Sequence, residues 1–124
     1  MANEKKYAVV IDVQKGMSIV EVDKFKIDCF THDIVEGYFE AVPIKELGES
    51  KNLILLLNEE GKMRGLPLNP WATMLSIHGK LNWFNCIVGN VVIFRQSGTE
   101  LEPFTKEEAS DIIITIERGL PYGE

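Results

Sequence analysis

Cysteine, histidine and long apolar runs are all scarce in this chain of 124 residues, which has two cysteines and two histidines. Cys29 and Cys86 stand far apart without a Cys-x-x-Cys spacing, so neither a metal site nor a redox pair is written into the sequence. Two buried free thiols are expected. His32 and His78 are isolated, no Ser or Cys sits in a nucleophile motif, and the glycines form neither a Walker loop nor a dinucleotide fingerprint. A catalytic set would have to be assembled from parts distant in sequence; no enzyme, cofactor or metal is expected. No apolar run approaches the roughly 20 residues of a membrane span, and Met1 to Lys6 lacks the apolar core of a signal peptide, so a cytoplasmic location is expected. The net charge of -6 has the wrong sign for general nucleic-acid binding, which needs a basic surface to release counterions. A local basic pocket is still compatible with it.

What is present suits one ordinary folded domain over residues 1–124. Hydrophobic residues make up 45% of the chain and charged residues 26%, a balance that excludes disorder and fibrous structure. Tyr7 to Val13 and Ser18 to Lys26 read as strands joined at Gln14-Lys15-Gly16, the second half-exposed and nearer an edge. Asp28 is placed to cap a short helix that carries Phe30 and Ile34 on one face and ends at Gly37. Tyr38 to Val42 follows as a strand, and Leu53 to Leu57, five consecutive aliphatic residues, as a strand buried on both faces. Trp71 to His78 reads as weakly helical. Trp83 to Phe94 carries two apolar runs hinged at Gly89-Asn90, which fit one bent strand or a hairpin. Thr105 to Glu108 is a capping box, and Ala109, Ile112, Ile113 and Ile116 give the following helix, Lys106 to Arg118, one apolar stripe. The expected fold is α+β: a mixed or antiparallel sheet of five to six strands with two helices packed on one face.

The stretch that carries function in this reading is Asn58 to Trp71, Asn-Glu-Glu-Gly-Lys-Met-Arg-Gly-Leu-Pro-Leu-Asn-Pro-Trp. Its glycines and prolines suit a shaped loop better than regular structure. Lys62 and Arg64 alternate about Met63, so an extended loop points them the same way, and arginine offers a planar fork to phosphate or carboxylate. Gly61 and Gly65 let backbone N–H groups approach the same anion. Asn58 and Asn69 bring amides that both donate and accept, Trp71, Trp83 and Phe84 offer stacking faces, and Asn90 stands beside a glycine that marks either a turn or the close approach of a ligand. The expected ligand site is therefore Asn58, Lys62, Arg64, Gly65, Asn69, Trp71 and Asn90, with Arg64 the residue that holds the ligand and whose truncation leaves folding almost untouched. The same residues also fit a purely structural loop with solvated cations and core aromatics.

Four blocks in order, Gly37-Tyr-Phe-Glu-Ala-Val42, Asn58-Glu-Glu-Gly-Lys62, Gly65-Leu-Pro-Leu-Asn69 and Ile87-Val-Gly89, resemble a family of small proteins known as a domain of unknown function. The resemblance runs from about Tyr7 to the C-terminal helix. Where the family often has an arginine after the second asparagine, this chain has Pro70. The resemblance implies no enzymatic activity. It implies a phage, plasmid or other mobile-element setting, in which a small protein of this kind would sequester a nucleotide-derived signal of host defence or, alternatively, block a host protein. A homo-oligomer is also expected, because Tyr38, Phe39, Trp71, Trp83 and Phe84 are more aromatic surface than one small sheet easily covers.

Overall fold

The aliphatic run at the centre of the sequence forms β4 (Leu53–Asn58), and all six of its residues are buried. A strand can be apolar on both sides only if both faces of its sheet are covered, so β4 demands a layer above and a layer below. The computed structural model, which describes residues 4–81 and 86–118, supplies both.

The sheet is six-stranded and antiparallel throughout. It is built from β1 (Tyr7–Asp12), β2 (Gly16–Glu21), β3 (Phe39–Ile44), β4, β5 (Val91–Ser97) and β6 (Glu100–Glu102), in the order β2-β1-β5-β4-β3 with β6 paired to β5. Three helices cover it: α1 (Ile27–Val35), α2 (Pro70–Ile77) and α3 (Lys106–Glu117). The two-residue alternation of strands sorts the core into two clusters. Val9, Ile11, Leu55, Leu57, Val91 and Ile93 face Ala72 and Leu75 of α2 and Ala109, Ile112 and Ile116 of α3. Ala8, Ile54, Leu56, Val92 and Phe94 face Ile27 and Val35 of α1. The expectation of two helices on one face is thus corrected to three helices on two faces. The unbroken burial of β4 requires this arrangement, and a helix count does not reveal it.

Local chemistry sets the element ends. Asp12 Oδ1 accepts the N–H groups of Gln14 and Lys15 at 2.8 and 3.0 Å, and Gly16, at φ +80°, closes the β1–β2 hairpin. Those two N–H groups hold the Asp12 carboxyl below its ordinary range. β2 ends at Glu21, short of the expected Lys26, because Asp23 turns the chain: its Oδ1 accepts from Phe25 N–H and its carbonyl from Lys26 N–H. Asp28 therefore lies inside the first turn of α1 and caps nothing, and the left-handed residue that ends α1 is Glu36, with Gly37 after it. The capping box of α3 forms as its sequence requires, Thr105 Oγ1 accepting from Glu108 N–H and Glu108 Oε1 from Thr105 N–H. Glu108 also pairs with Arg95 at 2.9 Å. β5 begins only at Val91, so Gly89-Asn90 is neither a hairpin turn nor a bend within one strand. Residues 87 and 88 run beside the loop instead, with Asn69 N–H donating to Ile87 O at 2.8 Å. Trp83 and Phe84 lie outside the described residues. Among the described residues, no helix is long and apolar enough to cross a membrane.

Candidate functional site

The loop after β4 is a built structure, and its asparagines are the anchors. Asn58, 3% exposed, donates Nδ2 to the carbonyls of Val35 and Glu36 at 3.0 and 3.3 Å and accepts Glu60 N–H at 2.7 Å. It thereby ties the end of β4 to the C-terminus of α1. The chain then coils. Leu66 N–H donates to Gly61 O at 3.0 Å and Gly65 N–H to Lys62 O at 3.2 Å, the paired bonds of a Schellman motif, which calls for a left-handed residue where Gly65 has φ +68°. Gly61 and Gly89 admit close packing: an added Cβ would stand 2.9 Å from Val88 Cγ2 at the first and 2.9 Å from Leu66 Cδ1 at the second.

This coil corrects the expected geometry of the two cations. With about 100° of rotation per residue in a helical turn, side chains two apart diverge rather than align. Arg64 turns to α1 and donates Nη1 to Glu36 O, a cation on the carbonyl end of a helix. Lys62 lines a separate cleft of about 200 Å³ with Glu40, Glu59 and Cys86. Gly37, at φ +155°, leaves the room for this arrangement, since a Cβ there would stand 2.9 Å from Asn58 Nδ2 and 3.0 Å from Arg64 Nη1.

The remaining expected site residues gather at the other end of the loop, against the β1–β2 hairpin. Asn69 is fully buried and N-caps α2: its Oδ1 accepts Ala72 N–H at 3.1 Å, while Nδ2 donates to Ile11 O and Gly89 O, both at 2.9 Å. Both donors and the acceptor of that amide have partners within the chain. Asn90 Oδ1 accepts Val13 N–H at 2.9 Å. Trp71 packs against the α2/α3 core with Nε1 3.6 Å from where a Cβ on Gly16 would lie. Apart from Lys62, which lines its own cleft, the other six of the seven residues therefore form two groups. Asn58, Arg64 and the Gly65 turn join the loop to α1, and Asn69, Trp71 and Asn90 join it to the hairpin.

The corner at α1 contains side chains that sequence reasoning had not placed in a site. Tyr38 is 73% exposed, its ring edge-on to His32 at 5.5 Å, and its carbonyl accepts Glu59 N–H at 3.1 Å. It follows Gly37, the residue against which the Arg64 guanidinium packs. Met63, on the outer turn of the loop, is 88% exposed. The signal for Tyr38 lay in its position directly after a glycine that begins one of the blocks quoted above. Of the other aromatics assigned to an oligomer surface, Phe39 packs against the α1 core and Trp71 against the opposite one. Cys29 and Cys86 are free, and both are exposed rather than buried. Two broader clefts lie elsewhere: about 680 Å³ beside Lys45, Lys51 and Arg95, and about 720 Å³ beside Lys6, Lys24 and Phe25. Among the described residues no group of His, Cys, Asp and Glu could hold a metal ion.

Neither a curated protein nor a solved structure matches the chain. One family model does, that of a domain of unknown function, over residues 5–116.

Proposed function

The chain belongs to that family, the domain of unknown function DUF3846, and on that premise we propose that it is a non-enzymatic binding protein for a small nucleotide-like anion, held at the corner between α1 and the 58–66 coil. The observation that carries this reading is a backbone-anchored guanidinium packed against Gly37, with an exposed aromatic ring on the next residue. Arg64 is fixed by Glu36 O, and Tyr38 is fixed through its carbonyl to Glu59. The contact to Glu36 leaves further guanidinium N–H groups for a phosphate, and the ring offers a face for a base. A site whose parts are already held in place binds at lower entropic cost than one that must be ordered. In the phage or plasmid setting that the sequence resemblance implies, such a protein would sequester a host defence nucleotide.

A second reading, a module that inhibits a host protein, is favoured by Met63. A methionine 88% exposed on a rigid outer turn is an adaptable apolar anchor with no packing role in the fold. A thermal-shift panel of cyclic nucleotides and ADP-ribose derivatives separates the two. Ligand at 100 times its Kd adds about 2.7 kcal/mol, which at roughly 4 °C per kcal/mol for a chain of this size raises the melting temperature by about 10 °C. Flat melting curves together with a stoichiometric protein captured from a host lysate would transfer the assignment to the second reading.

A further inference from the structure

The two ends of the sheet are finished differently. At the β3 end, Pro43 has no N–H to offer a neighbour, and the residues beyond it are taken: Ile44 bridges to Leu81 and Lys45 N–H donates to Lys80 O at 2.8 Å. At the other end, β2 reads Gly-Met-Ser-Ile-Val-Glu, without proline or lysine, and no described residue pairs with its outer edge. Natural sheets usually blunt such an edge with proline, lysine, a bulge or a covering segment, because a bare row of N–H and C=O groups is a template for another strand.

The register of the β1–β2 ladder says which groups are on offer. Val22 N–H donates to Lys6 O at 2.9 Å, so the even-numbered residues of β2 turn their main-chain groups toward β1, and Met17, Ile19 and Glu21 turn theirs outward. An antiparallel partner strand must meet outward groups with outward groups. When that partner is β2 of a second copy, only registers pairing odd with odd numbers can form. Pairing Met17 with Ile19 of the second copy centres the twofold axis on Ser18 and sets Lys15 of each copy opposite Glu21 of the other. Pairing Met17 with Met17 sets Lys15 opposite an isoleucine, and pairing Ile19 with Ile19 sets it opposite Asp23, where β2 has already ended.

We propose that β2 is a self-association edge: two copies pair antiparallel about Ser18, joining their sheets into one and placing a Lys15–Glu21 pair at each end of the seam. The apolar side chains agree with the charges. Met17 and Ile19 are only half-buried against the α2/α3 core, and in this register each lies opposite the other on that same face, where the second copy completes its cover. Ser18 is exposed, and its small side chain allows the close approach that the axis requires.

The oligomeric state of three full-length proteins tests this. Wild type at micromolar concentration should sediment with the mass of two chains. Ser18→Lys sets two like charges face to face on the axis and should sediment as one chain that still unfolds in a single cooperative transition, because Ser18 is at the surface, with its melting temperature lowered only by the lost association. Ser18→Cys, with Cys29→Ser and Cys86→Ser, should form an interchain disulfide on mild oxidation, since a non-hydrogen-bonded antiparallel pair has Cα atoms about 4.5 Å apart, within the range of about 4.4–6.8 Å that a disulfide spans. Val20→Cys in the same background should not. A wild type of single-chain mass overturns the proposal, and so does a Ser18→Lys protein that keeps the mass of two chains.

Discussion

Replacing Asn69 should be among the most damaging single changes the loop can suffer. Its amide is fully buried and engages three backbone groups on three segments: Ala72 N–H at the start of α2, Ile11 O in β1 and Gly89 O ahead of β5. Asn69→Ala removes an N-cap, at about 1 kcal/mol, and deprives two buried carbonyls of a donor, at about 1–3 kcal/mol each. The expected loss is roughly 3–7 kcal/mol, or about 12–28 °C in melting temperature. Asn69→Asp isolates the terms, because it keeps the acceptor that caps α2 and turns the two donors into a carboxylate facing carbonyl oxygens. Burial and those oxygens raise that carboxyl's pKa in the folded state above its unfolded value. The sign follows from this: the penalty is fully present above the folded pKa and is relieved as pH falls toward the unfolded value. Asn69→Asp should therefore melt far below wild type at pH 7 and approach it at pH 4.5. Thermal melts of both variants at the two pH values are the assay. A loss under about 1 kcal/mol for Asn69→Ala, or equal melting of Asn69→Asp and wild type at pH 7, would refute the hub role.

Gly37→Ala should cost about 1–3 kcal/mol, since it adds a Cβ at φ +155° only 2.9 Å from the Asn58 amide, whereas Gly65→Ala, left-handed but with nothing within 4 Å, should cost about 1 kcal/mol; urea titrations give both. Arg64→Ala should lower stability by about 0.5–1 kcal/mol, because the side chain sits on the carbonyl end of α1, and equal urea midpoints would remove it from that role. For Glu108, burial raises the carboxyl, but the Thr105 N–H and Arg95 outweigh it and hold the group below the ordinary glutamate range. A depressed pKa stabilises the fold above the unfolded value and loses that contribution as pH falls through the folded one, so wild type should lose stability below about pH 4.5 by an amount that Glu108→Gln does not show.

Much of the fold was legible because its signals are local. Leu53 to Leu57 announces a strand covered on both faces, and Thr105 to Glu108 announces a helix start. The site was harder to read, because its asparagines bond across the fold. Asn69 reaches Ile11, 58 positions away, and no local pattern carries that pairing. Its cap was readable, since asparagine followed by proline at the first helical position is a start signal, but the same pair reads equally well as loop chemistry. Lys62 and Arg64 were set side by side by assuming an extended backbone, whereas the coil between Gly61 and Leu66 turns them apart. The helix ends on a left-handed Glu36, one residue before the Gly37 expected to stop it, and the glycine is needed instead for the close approach of Asn58 and Arg64. β6, three residues of Glu-Leu-Glu, carries almost no strand propensity and forms because Gly98 turns it back onto β5.

Calorimetric titration of the nucleotide that raises the melting temperature most, into wild type, Tyr38→Ala, Arg64→Lys and Lys51→Ala, tests the binding corner most directly. Loss of a stacking face worth about 1–3 kcal/mol should weaken binding by Tyr38→Ala roughly 5- to 150-fold, and Arg64→Lys should weaken it roughly tenfold through loss of the planar fork. Lys51→Ala, in the separate cleft beside Arg95, should bind as wild type does. Equal affinity of wild type, Tyr38→Ala and Arg64→Lys, or a loss confined to Lys51→Ala, would contradict the assignment of the ligand to the α1 corner.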